Sequence, residues 1–267
     1  LVRGRITRIG DMDVVTFMRA IAQQWCGNDA WAHRWAGFHF SSPALLQGLG
    51  AIRDASAPVP VEVMIGSRRV RANLRPRVGA TSDLREMDRT PSTRELWERE
   101  AGVGNYVRAE GRAIYISCNA MEDLDAFIAF TRACFTAMEN PNADRLILDV
   151  RRNGGGNNYL PEPLRKRILR SRFNRPGGLY VLTSPFTFSA AQNPTSRLER
   201  DSFAIFVGEP TGGAPNHYGD AQQFHGEATG LTSMVSTIPW FDSYPQDERV
   251  WILPDLRAPV TFEDARG

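Results

Sequence analysis

Lysine is almost missing from this sequence. Lys166 is the only one, and arginine supplies every other basic side chain, so chemistry that needs a neutral lysine amine has a single residue to draw on. Cysteine is scarce as well. Cys26, Cys118 and Cys134 are odd in number, far apart and without Cys-x-x-Cys or metal-ligand spacing, which argues against a disulfide framework and a cysteine-built metal site and predicts buried thiols. Charge of one sign is also lacking: the formal net charge is +2 and the arginines are scattered, so nucleic acid is not an expected partner. No apolar run approaches the roughly 20 residues of a membrane span, and no basic-then-apolar signal opens the chain. It begins at Leu1 rather than Met. A leader or upstream domain is therefore left open, and if a leader precedes Leu1 the expectation is export, to a bacterial periplasm or the extracellular space.

What is present fits a soluble globular protein of 267 residues, long enough for one large or two ordinary domains. Residues 1–78 read as an N-terminal β-rich unit: a strand from Arg5 to Gly10, a helical pattern at Val14, Phe17, Met18 and Ile21, and a hairpin from Val59–Ile65 and Val70–Leu74. His33 and His39 lie among tryptophans and read as packing or surface groups. Residues 79–105 are polar, without apolar periodicity, and read as a connector. From residue 106 to 267 strand and helix alternate: Arg112–Ser117, a helix with Leu124, Phe127, Ile128 and Thr131 on one face, Leu146–Val150, a basic helix around Leu164–Leu169, Leu179–Leu182 and Phe203–Val207. Such alternation predicts an α/β domain with a largely parallel sheet.

The stretch Leu179–Gln192 is where a nucleophile is expected. An apolar strand runs into Ser184-Pro185 and delivers one hydroxyl, Ser189, just before small residues; the N–H of Ala190 after it is a candidate oxyanion donor. Read on its own, Ser189 is equally an N-cap serine. Asp149-Val-Arg-Arg-Asn-Gly-Gly-Gly-Asn-Asn forms a glycine loop after the Leu146 strand, and Val207-Gly-Glu-Pro-Thr-Gly-Gly-Ala-Pro-Asn-His a second one. Glycines there allow φ > 0 and close backbone approach. The first loop is neither a P-loop nor a Gly-x-Gly-x-x-Gly fingerprint, and no cofactor is expected.

In this order, Leu146–Gly156, Phe186–Gln192, Gly208–Gly213 and Glu248–Asp255 resemble the tail-specific, or C-terminal processing, serine protease family, over roughly Tyr106 to Val260. The resemblance implies a crotonase/Clp-protease-like α/β domain preceded by a smaller, loosely PDZ-like β-rich unit. It also implies a serine peptidase acting on peptide or unfolded polypeptide, with Ser189 as nucleophile and the amides of Gly155, Gly156 and Ala190 as oxyanion donors. The sequence departs from the lysine-dependent branch, because Ala214 stands at the lysine position. It is closer to the lysine-lacking branch that resembles the tricorn core protease, where Glu248 matches a glutamate. His217 is then the candidate base, with Glu248 orienting it. Asn193-Pro194 reads as an N-cap and first helical residue, which would start the helix after the serine turn. The alternative reading is a catalytically degenerate binding protein on the same fold, a possible pseudoenzyme.

Overall fold

The computed structural model describes residues 4–24, 27–76, 104–227, 230 and 232–259. Cys26 and the bulk of the expected connector, 79–103, lie outside the described residues. The chain divides into two compact units, one from Leu1–Arg99 with Val260–Gly267 and one from Glu100–Pro259.

The first unit starts with β1 (Arg5–Ile9) and β2 (Met12–Asp13), passes through four short helices, α1 (Val14–Ala22), α2 (Asp29–Arg34), α3 (Ala36–Phe40) and α4 (Pro43–Gly48), and returns through β3 (Val59–Ile65) and β4 (Arg68–Leu74). The strands form one antiparallel sheet in the order β2-β1-β3-β4. Period-two alternation works as read: Val59, Val61 and Val63 are buried and meet Ile9, Phe17, Ile21 and Leu46 in a core of their own. Asp13 starts α1 by accepting the N–H groups of Val15 and Thr16, an N-cap that the helix-end donors require.

The second unit is an α/β domain. Its elements are β5 (Tyr106–Glu110), β6 (Ala113–Ser117), α5 (Leu124–Met138), β7 (Arg145–Asp149), α6 (Glu162–Leu169), β8 (Leu179–Thr183), a 3-10 turn (Ser189–Ala191), α7 (Gln192–Asp201), β9 (Ile205–Gly208), β10 (Asn216–His225), β11 (Thr232–Phe241) and β12 (Leu256–Arg257). Six strands make a sheet ordered β12-β9-β8-β7-β6-β5, antiparallel only at β5. From β6 to β9 each crossover advances one place in the same direction, so the right-handed preference sets α5, α6 and α7 on one face. They pack side by side there. Alternate strand residues face these helices: Ile114, Ile116, Leu146, Leu148, Leu179, Val181 and Phe206 are buried with Phe127, Leu164 and Leu198 of the helices. Cys118 and Cys134 lie in this core as free thiols. β10 and β11 form a separate two-stranded ribbon, which the sequence reading does not contain.

The expected helix start at Asn193 is wrong. The 3-10 turn begins at Ser189 and runs into α7 at Gln192; Pro194 sits in the first helical turn, where a missing N–H leaves no bond unmade. The Asn193 side chain is turned instead to Asp242, to which its Nδ2 donates.

Candidate active site

One-way winding lines up the C-terminal ends of β6, β7, β8 and β9 along one edge of the sheet, where open α/β sheets place their sites. The loop after β7 is held first. The Asp149 carboxylate, 2 % exposed, accepts the Arg151 N–H at 2.9 Å, pairs with its guanidinium at 2.6 Å and takes the Tyr115 hydroxyl proton in a hydrogen bond. Burial, reinforced by the Asp149 charge, raises the Tyr115 pKa so that it stays a donor. Asn153, wholly buried, then pins the loop at three points. Its Nδ2 donates to the Cys118 carbonyl at 2.9 Å, its Oδ1 accepts the Gly155 N–H at 3.0 Å and its carbonyl accepts the Phe188 N–H at 3.2 Å.

The loop after β8 is tied to the same frame. Ser184 Oγ donates to the Arg151 carbonyl at 2.6 Å and Thr187 Oγ1 to the Val150 carbonyl at 3.0 Å. Phe188 is extended, and Ser189 follows at φ 52°, one of two described non-glycine residues with positive φ. A β-to-left-handed step of this kind throws the hydroxyl out of the chain at a sharp elbow. Its partner surface is Gly155. A Cβ there would lie 2.8 Å from Ser189 Cβ, 3.2 Å from Ser189 Oγ and 3.2 Å from the Ala190 nitrogen. Only glycine, at φ 125°, leaves that space open.

The structure therefore brings Ser189, Ala190 and Gly155 together. Gly156, also at φ 125°, packs instead on the Met121 backbone, where a Cβ would meet the carbonyl oxygen at 2.4 Å. Gly155 as an oxyanion donor is corrected: its N–H is engaged by Asn153 Oδ1, and its contribution is the missing side chain. The Ala190 and Gly156 N–H groups donate no hydrogen bond among the described residues.

The loop after β9 closes against the elbow, with the Gly212 N–H on the Thr187 carbonyl at 3.0 Å. Gly213 lies on the buried Gln192 side chain, whose Oε1 has no hydrogen-bond partner among the described residues. His217 opens β10 just beyond. Its Nδ1 is 3.2 Å from the Ala214 carbonyl. A carbonyl only accepts, so this bond assigns the proton to Nδ1 and leaves Nε2 with the lone pair. Burial lowers the His217 pKa, against the opposing pull of the Asp242 and Asp220 charges; the ring is neutral at pH 7. No hydrogen bond joins Ser189 Oγ to His217 or to any other side chain among the described residues.

Glu248 is not placed where the sequence reading puts it. It is exposed and forms no ion pair or hydrogen bond among the described residues, and Arg249 pairs with Glu199 and Asp247 instead. The carboxylate acting on His217 most strongly is Asp242, 4 % exposed, which also accepts from Asn193 and, at 2.6 Å, from Arg197. Sequence reasoning missed Asp242 and the roles of Asn153 and Gln192. Asn153 carried a signal, standing at the mouth of a glycine loop. Asp242 carried none, since it meets Asn193 across 49 residues of chain.

No family model and no curated protein matches this chain. Similarity to solved structures is found. Mature CPAF is matched over 100 % of this chain and 74 % of its own at 14 % identity, TM-score 0.53; its complex with lactacystin gives 13 % identity, 75 % of that chain and the same score. The photosystem II D1 C-terminal processing protease is matched over 76 % of this chain but only 56 % of its own, at 16 % identity and TM-score 0.41. At these identities the likeness is one of fold alone, and the CPAF matches, at TM-score 0.53, support the α/β architecture described above.

Proposed function

We propose that this chain is a serine peptidase of the lysine-lacking, tail-specific kind, hydrolysing peptide bonds in unfolded polypeptide. The observation that carries the reading is the elbow: Ser189 in a left-handed conformation, with its hydroxyl and the Ala190 N–H facing the bare Cα of Gly155. Ser189 Oγ is the nucleophile, and the Ala190 N–H, with Gly156 as the second candidate, stabilises the oxyanion. His217 Nε2 receives the serine proton, its ring held by the Ala214 carbonyl and its cation favoured by Asp242 rather than Glu248. The unit of residues 1–78, loosely PDZ-like, serves polypeptide access rather than chemistry, which belongs to the domain of 106–267.

A second reading, a binding protein that has lost catalysis, is favoured by one observation. Ser189 Oγ has no hydrogen-bonded base among the described residues, and Ala214 holds no lysine. A fluorophosphonate probe and hydrolysis of reduced, alkylated casein separate the two. The peptidase reading expects labelling and turnover in the wild type, and neither in Ser189→Ala. A wild type no faster than Ser189→Ala establishes the binding protein. Full turnover in His217→Ala removes the histidine and keeps the peptidase.

A further inference from the structure

Among the described residues β10 and β11 pair only with each other, in one register from Asn216↔Phe241 to His225↔Thr232 that is interrupted at Asp220. An isolated two-stranded ribbon is marginal in water. Both outer edges carry backbone N–H and C=O groups without a strand partner among the described residues.

The register divides the ribbon into two faces. His217 and Trp240 share one, part-buried only at that end, where Trp240 lies across Gly219 and meets the Tyr159 ring at 6.4 Å; further along it Ile238 and Met234 are exposed. The other holds Tyr218, Phe224, Val235, Pro239 and Phe241, with Tyr218 67 %, Phe224 54 %, Val235 51 % and Phe241 62 % exposed. Alternation would put the ribbon's only carboxylate, Asp220, among them. Its backbone is instead left-handed, φ 52°, and its Oδ2 accepts the Trp240 indole N–H at 2.8 Å, on the opposite face. Thr237 Oγ1 takes up the Asp220 carbonyl at 2.9 Å. This face thus sets its exposed aromatic and aliphatic side chains among the uncharged Asn216, Gln222, Ser233 and Thr237 and is free of ionised groups, and neither strand carries a lysine or arginine to guard its edge.

We propose that this face of the β10–β11 ribbon is a self-association surface that packs on the same face of a second copy of the chain. Three arguments choose that occupant. A ribbon that cannot stand alone needs a partner present at all times, which a second copy is and a transient polypeptide is not. An uncharged face meets itself without repulsion, and the net charge of +2 adds little. Finally, three aromatic rings at ~200 Å² each, a little over half exposed, offer roughly 350 Å². With Val235, Pro239 and the polar side chains between them, the face approaches the about 800 Å² per partner of a stable association. A two-fold arrangement satisfies both copies at once.

The test is sedimentation velocity on the wild type and on Phe224→Lys/Val235→Lys from 0.1 to 50 μM, with circular dichroism on both. Neither residue belongs to the proposed peptidase machinery. The expected result is a wild-type dimer and a folded monomeric variant, with at least a tenfold weaker association. A wild type that stays monomeric throughout overturns the proposal, as does a variant that dimerises like the wild type. If the variant fails to fold, amide hydrogen exchange of the wild type decides: protection along Thr232–Phe241 must fall on dilution, and protection independent of concentration overturns the proposal. A monomer that instead gains this protection on adding reduced, alkylated casein would make the ribbon a polypeptide-binding surface and overturn it too.

Discussion

At Ser189 the backbone sits at φ 52°, a conformation that costs a residue with a Cβ about 1–2 kcal/mol. Ser189→Gly is therefore expected to be about 1 kcal/mol more stable to urea than Ser189→Ala, with both inactive. Equal stabilities would mean that the elbow is unstrained. Gly155 reverses the argument. Gly155→Ala sets a Cβ 2.8 Å from Ser189 Cβ at φ 125°, so it is expected to cost about 2–3 kcal/mol and to lower fluorophosphonate labelling at least tenfold. For His217 the sign follows from burial. Its folded pKa lies below the usual value, so the unfolded chain takes the proton first. The neutral ring's contribution to stability is full above about pH 6.5 and is lost as pH falls from there through the lower folded pKa. The rate is expected to fall on the same acid side, and stability in His217→Gln is expected to fall less than in the wild type over that interval.

The ties between elements set the next scale. Asp149, at the end of β7, is bound by Arg151 and by Tyr115 from β6. Asp149→Ala is expected to lose about 3 kcal/mol, because it removes the buried carboxylate that the Arg151 guanidinium and the Tyr115 hydroxyl share, and to reduce labelling of Ser189 by freeing the glycine loop. Circular dichroism melts and the same probe check both. These elements were legible in sequence to different degrees. β7 and β8 read clearly because they are short apolar runs bounded by turn residues, and α5 because its stripe keeps a helical period. The β10–β11 ribbon was illegible for the converse reason. Asn216–His225 mixes polar, aromatic and glycine residues and has no buried face to impose alternation. Ser189 and its glycine loop were readable from local chemistry, whereas Asp242 reaches the site only through long-range packing on Asn193 and Arg197, which no spacing announces.

On the scale of the whole molecule the described residues form two hydrophobic cores with no shared member, one around Phe17 and Ile21, the other around Ile116, Leu146 and Leu179. The first is the smaller, and small cores are the marginal ones. Two unfolding steps are expected in calorimetry, with the amides of β1, β3 and β4 exchanging in the earlier. A single two-state transition would refute independent cores.

The segment leading into the last described strand also bears on how the elbow is assembled. The Thr211 N–H donates to the Ile252 carbonyl at 3.2 Å, the Ile252 N–H to Thr211 Oγ1 at 2.9 Å, and Asp255 Oδ2 accepts the Phe206 N–H at 2.8 Å. The loop that presses on the serine elbow is thus propped from residues some 40 positions further on. Translation supplies those residues after the serine. A nascent chain that has passed Ser189 but not yet Ile252 carries the hydroxyl without these props on the loop beside it, so the geometry around the elbow is complete only once residues 252–255 have been added.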